Sequence, residues 1–198
     1  MLGAEALLTA MWRGDSIHQI GTLKNGNFKN IPVKSIPDAL QLATELSAKG
    51  FDVYFACGEY ATPENRKASN ALGAWGYWFD IDCGEAKAAK GLGYTTKKEA
   101  NTSLLDFIKQ TKLPYPDFIV DSGNGLHVYF CSDEFIPKSE WQAGARKLKA
   151  LTKQYGLLAD DTRTADIASV LRFPNTSNYK DPSSPKEVKV VYPKRGEV

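Results

Sequence analysis

Residues 74–82 read AWGYWFDID, and the fold follows from that stretch. Aromatic and β-branched side chains dominate it, so an extended strand is the favoured conformation. It closes on two carboxylates, Asp80 and Asp82. Successive side chains of a strand alternate between its faces, so residues two apart project together. An otherwise apolar strand therefore ends in a pair of like charges on one side. Held close, two carboxylates repel and one titrates high unless a cation lies between them. Divalent ions resolve that conflict, and Mg²⁺ binds through one or two carboxylates plus substrate phosphates. The plainer reading is that Asp82 caps a turn into Cys83-Gly84 while Asp80 is exposed.

Outward from this strand the pattern alternates between strands and helices. Upstream, residues 51–56 (FDVYFA) form a β-prone run. A helix opened by Pro37 and ended near Gly50 precedes it. Before that come a strand over 17–23 with a turn at Asn25-Gly26, and a helix over 4–12. A polar loop, 62–70, carries Arg66 and Lys67. Downstream, Thr96 and Glu99 have the spacing of a capping box for the next helix. Residues 117–121 and 126–131 are two strands joined by Ser122-Gly-Asn-Gly125, a hairpin signal. Pro137 opens a long helix with Trp141, Leu148, Leu151 and Tyr155 on one face. Strands over 167–173 and 187–192 follow, and the chain ends in a polar stretch from Lys194. Strands outnumber helices, and hairpins mix with crossovers. The expectation is an α+β fold with a mixed or antiparallel sheet core and flanking helices, not a doubly wound parallel sheet.

Composition narrows the class. A chain of 198 residues with 42% hydrophobic and 24% charged side chains suits one soluble unit with a core of its own. No apolar run is long enough to span a bilayer. Met1 to Arg13 is apolar but lacks a basic start and a small-residue cleavage site, so it does not read as a signal peptide. Cys57, Cys83 and Cys131 form no CxxC pair and no even framework, which implies buried thiols in a reducing cytoplasm. A net charge of +2 neither demands nor excludes nucleic acid, although Arg146, Lys147, Lys149 and Lys153 cluster on one expected helix.

Two further segments carry chemistry. In Ser122-Gly-Asn-Gly-Leu-His127, glycines let backbone amides approach a phosphate, and serine and histidine can donate to its oxygens. The plain alternative is a turn with a structural histidine. The segment from Asp160 to Lys180 holds Asp160, Asp161 and Asp166, then Arg172, Pro174, Asn178 and Lys180. A third carboxylate could complete a two-metal site, and Arg172 and Lys180 could neutralise a triphosphate. Aromatic residues Trp75, Tyr77 and Trp78 could stack on bases, although core positions suit them better.

In that order, WFDIDCG, VDSGNGLHVYF and SVLRFPNTSNYK resemble the three motifs of the archaeo-eukaryotic primase superfamily, in its phage, plasmid and large-virus branch. The resemblance covers about residues 75–180. It implies one catalytic unit over 1–198, with an N-terminal α/β part over 1–70 and an RRM-like part over 71–198 that binds metal and nucleotide. It implies that Asp80, Asp82 and one of Asp160 and Asp161 hold two Mg²⁺ or Mn²⁺ ions. Ser122, Gly123, Gly125 and His127 would meet the incoming triphosphate, as would Arg172 and Lys180. Arg66 would lie near the template or triphosphate. The implied partners are nucleoside triphosphates, single-stranded DNA, and a helicase domain or protein, to which such chains are often fused. The implied activity is that of a DNA primase or primase-polymerase. A non-catalytic single-strand or replication-origin binder with the same fold is the competing expectation. Two departures stand out. Asn175 replaces a glycine in the Pro-Gly-Thr of relatives, and Ser169 replaces an arginine, which puts a secondary contact in doubt.

Overall fold

The structure is a computed structural model and describes residues 2–192; the polar C-terminal stretch from Lys194 lies outside them. Helix α1 (Leu2–Met11) leads into the hairpin β1 (His18–Lys24) and β2 (Asn27–Val33). Asn25 and Gly26 both take positive φ, 53° and 76°, the geometry of a tight hairpin turn matched to strand twist. Helix α2 (Ile36–Ala48) starts at Ser35, whose side chain accepts from the Asp38 amide, with a proline in its first turn. Strands β3 (Asp52–Ala56), β4 (Glu59–Tyr60) and β5 (Ala71–Asp82) follow. A short helix α3 (Glu85–Ala88) then precedes α4 (Lys97–Thr111). Thr96 caps α4 by accepting from the Glu99 amide, and the Glu99 carboxylate reaches back to accept from the Thr95 amide, one residue before the cap. Next come β6 (Phe118–Asp121), β7 (Gly125–Pro137), α5 (Lys138–Gln154), α6 (Asp161–Ala165), β8 (Val170–Arg172), β9 (Thr176–Asn178) and β10 (Lys186–Tyr192).

Two sheets result among the described residues. One has the order β2-β1-β3-β8, the other β4-β5-β7-β6-β10-β9. Every pair of neighbouring strands whose register is defined runs antiparallel. The architecture is α+β, as the pattern of elements implies. The first sheet takes β8 from far downstream, so the two sheets do not divide at residue 70. Strand β8 is shorter than the expected 167–173: Asp166 accepts from the Ala168 amide and its carbonyl from the Ser169 amide, which turns the chain before it can extend. Strands β2, β4 and β9 carry no clear periodic signal and emerge through pairing with their neighbours.

Apolar packing glues the sheets together. One core joins α1 and α2 to both sheets through Leu7, Met11, Phe55, Tyr129, Trp78 and Trp141. A second, with Phe79, Ile81, Leu104, Phe107 and Val128, seals α4 against the outer face of the larger sheet. Trp78 is fully buried, stacks on Trp141 at 4.8 Å, and donates to the Arg163 carbonyl at 2.8 Å. Removing such a ring would destabilise the fold by roughly 3–5 kcal/mol. Of the three free cysteines, Cys57 is buried, whereas Cys83 and Cys131 are only partly so. No helix among the described residues is long and apolar enough to cross a membrane.

Candidate active site

Strand register builds the site. In the antiparallel pair β5–β7, Asp80 stands opposite His127 and Asp82 opposite Gly125. Directly paired residues share a face, so the period-two spacing of the acids and the register together gather Asp80, Asp82 and His127 on one side. The β6–β7 turn makes this possible. Gly123 takes φ 88°, a conformation other residues resist, and its amide donates to Asp121 at 2.8 Å. Lys97 clamps that Asp121 carboxylate at 2.6 and 2.7 Å. A Cβ on Gly125 would run into the Ile81 carbonyl, so this glycine permits the close approach of β7 to β5.

A cleft of about 270 Å³ opens in front of these residues, lined by Asp80, Asp82, Ser122, Asn124, His127, Arg163, Arg172, Asn178 and Lys180, and also by Leu23, Phe28 and Tyr54. It continues through Asn124, Asn178 and Lys180 into a second hollow of about 370 Å³. The structure thus brings together Asp80, Asp82, Ser122, His127, Arg172 and Lys180. It leaves Gly123 and Gly125 as backbone supports outside the lining. Arg66 stands apart on the edge of the smaller sheet, its Nε donating to Asn30 at 3.1 Å.

The two neighbouring acids, Asp160 and Asp161, separate. The Asp160 amide donates to the Asp80 carbonyl at 2.7 Å, and its Oδ1 caps α6 by accepting from the Thr162 and Arg163 amides at 2.8 and 2.9 Å. Asp161 turns to α5 and pairs with Lys153 at 2.7 Å. Only Asp160 is held beside Asp80.

Electrostatics mark the acids. The Asp80 carboxyl is pushed up to about 7, first by burial and then by the Asp82 and Asp160 carboxylates; Arg163 and Lys87 offset this only in part. Asp82 is ion-paired to Lys87. Clustered carboxylates whose repulsion is only partly offset are what a divalent cation relieves. Among the described residues no three His, Cys, Asp or Glu side chains form a ready-made metal group. Two carboxylates on one face nevertheless suit a hard ion that takes its remaining ligands from water and phosphate. His127 is driven the other way, down to about 3, by burial and by nearby Arg172. It is therefore neutral, lies 3.6 Å from Asp80 through Nε2, and its Nδ1 has no partner.

Several contributors escape sequence reasoning. Buried Asp52 pairs with Arg172 and accepts from the Tyr179 amide at 2.7 Å, so one carboxylate fixes both the guanidinium and the loop leading to Lys180. Arg163 adds a cation at the cleft. Ser169 is fully buried and donates to the Arg163 carbonyl at 3.0 Å. No local pattern announces these roles, because each depends on a partner at least six residues away and, for Asp52, on one 120 residues away. Asn175 adopts φ 64°, a left-handed turn that asparagine tolerates better than most residues.

No family model matches the sequence, and no curated protein matches it. Solved structures do match. The chain is similar to the AEP domain of the primase-polymerase of cyanophage S-2L, with TM-score 0.64 and 13% identity over 93% of this chain and 85% of that one. It is similar to primase RepB′, with TM-score 0.58 and 17% identity over 96% of this chain and 55% of that one. It is also similar to the catalytic domain of RepB′ in complex with initiator DNA, with TM-score 0.57 and 17% identity over 95% and 82%. The chain spans just over half of the longer RepB′ structure. Its fold is therefore that of the archaeo-eukaryotic primase catalytic domains. Among the structures it matches are a phage primase-polymerase and the RepB′ primase.

Proposed function

We propose that the protein is a template-directed nucleotidyltransferase, a DNA primase or primase-polymerase, that makes or extends primers on single-stranded DNA. The observation that carries this reading is one cleft that gathers paired acids and several cations. Asp80 and Asp82 line it together with Arg163, Arg172, Lys180 and neutral His127, which stands beside Asp80. Phosphoryl transfer needs little covalent chemistry from a protein; it needs positioning and charge neutralisation.

The residues divide the work by their chemistry. Arg172, held by Asp52 and lying over Tyr54 at 5.1 Å, presents a fixed guanidinium to phosphate oxygens. Lys180, with no carboxylate at ion-pair distance among the described residues, supplies a mobile charge to the same chain of phosphates, which would extend toward Asn124 and Lys186 in the adjoining hollow. Neutral His127 donates one N–H without adding charge. Asp80 and Asp82, with Asp160 beside them, would hold divalent ions of the Mg²⁺ or Mn²⁺ kind, which when bound acidify an acceptor hydroxyl and neutralise a triphosphate. One catalytic unit over the whole chain, a helicase partner and a cytoplasmic setting belong to the same reading.

The test is primer synthesis on single-stranded DNA with labelled nucleotides and Mg²⁺ or Mn²⁺, beside the Asp80→Ala/Asp82→Ala variant. Metal-dependent products that vanish in the variant support the proposal. No product with either metal, across several templates and with a primer supplied, would leave a binding module with a primase fold.

A further inference from the structure

The smaller sheet turns one face toward the acids, and its register sets out a row across all four strands. Asn30 of β2 stands opposite Gly21 of β1, Gly21 opposite Tyr54 of β3, and Tyr54 opposite Arg172 of β8. Gly21 leaves a gap in that row. Phe28, opposite Leu23 in the next row, lays its ring into the gap: a Cβ on Gly21 would come within 2.7 Å of Phe28 Cζ and 3.4 Å of Tyr54 Cβ. The Phe28 and Tyr54 rings then lie 6.0 Å apart at 48°. Arg66 sits 5.7 Å from the Phe28 ring while its Nε holds Asn30, and Arg172 sits over Tyr54. Cation, ring, ring and cation follow one another across the sheet.

Phe28 is 38% exposed on a strand that is otherwise mostly polar and solvated. Its ring and that of Tyr54 line the cleft with Asp80 and Asp82. Arg66 has no carboxylate at ion-pair distance among the described residues, and Lys67 follows it. By contrast Trp78 is buried, Tyr77 stacks on Trp141 at 5.9 Å, and Trp75 donates to Glu59; none of the three lines the cleft.

We propose that the Arg66–Phe28–Tyr54 stripe is the stacking platform for an unpaired base of the single-stranded DNA template, delivering it to the acid cleft. An exposed aromatic face flanked by guanidinium suits single-stranded nucleic acid, whose bases stack without sequence preference while phosphates take the cations. Gly21 is a positioning residue, since the Phe28 ring occupies the space that its missing side chain leaves. The inference rests on the functional reading above, because a template is read only by a polymerising enzyme.

The experiment measures binding of a short fluorescent oligothymidylate by anisotropy, and primer synthesis in parallel. Phe28→Ala is expected to weaken DNA binding about 5- to 100-fold, and Phe28→Trp to retain it. Gly21→Ala keeps the aromatic ring but displaces it, so it should weaken binding with the melting temperature near that of the wild type. Each variant is also titrated with nucleoside triphosphate. If Phe28→Ala binds DNA as the wild type does while the wild type makes primers, the platform is wrong and the function stands. If Phe28→Ala loses triphosphate affinity and keeps DNA affinity, the stripe holds the incoming nucleotide and the inference falls. A wild type that neither binds DNA nor synthesises overturns the platform together with the reading beneath it.

Discussion

Replacing Asp52 by alanine tests whether one buried carboxylate organises the basic wall of the cleft. Its side chain is 9% exposed and that of Arg172 is 13% exposed. Truncation leaves the guanidinium with little water and no counter-ion, and frees the Tyr179 amide that Asp52 accepts. Removing one partner of a buried pair destabilises by roughly 3–5 kcal/mol. The lower end applies here, because Arg172 borders an open cleft and keeps its contact with the Tyr54 ring. About 3 kcal/mol in a chain of this size lowers Tm by roughly 6–12 °C. The loop before Lys180 loosens as well, so the KM for nucleotide should rise about tenfold, the worth of one charge-assisted hydrogen bond. The assay is thermal melting of Asp52→Ala, Arg172→Ala and the double variant, with nucleotide titrations of each. The double variant should fall short of the sum by about 2 kcal/mol, as contacting residues do. Additive losses, or an Asp52→Ala protein that melts with the wild type, would refute the coupling.

Other consequences can be measured directly. His18 is buried against Trp12 at 4.5 Å with Nδ1 unpartnered, and burial lowers its pKa despite the raising effects of Glu59 and the Gly14 backbone. A base with a depressed folded pKa loses stability as pH falls below its unfolded value, about 6.5. His127 acts in the same sense and Asp80 in the opposite one, so the clean readout is a comparison: His18→Gln should lose less Tm than wild type between about pH 7.5 and pH 5. Gly125→Ala should force β5 and β7 apart at Ile81 and reduce stability by roughly 2 kcal/mol or more, seen in urea unfolding. Asn175→Gly should be neutral or mildly stabilising and Asn175→Ala destabilising by about 1 kcal/mol, because φ is 64° there; equal melting of the two would contradict the left-handed turn.

Much of this protein is legible in short stretches of sequence. The period-two spacing of Asp80 and Asp82, the glycine turn before His127, the capping box at Thr96 and the asparagine turn at 175 are local signals, and local sterics and hydrogen bonding enforce them whatever the rest of the chain does. The six cleft residues Asp80, Asp82, Ser122, His127, Arg172 and Lys180 could be nominated from motifs for that reason. What they face could not. That His127 stands opposite Asp80 is a matter of strand register. That Asp160 stays beside Asp80 while Asp161 turns to Lys153 depends on where α6 begins against α5. Asp52 meets Arg172 only because β3 and β8, over a hundred residues apart, become neighbours. The stacking face built from Gly21, Phe28 and Tyr54 arises from rows that cross three strands. Sequence fixes conformations whose energetics are settled within a few residues. Tertiary structure decides which side chains meet, because burial and pairing energies belong to the assembled sheets and not to any one segment.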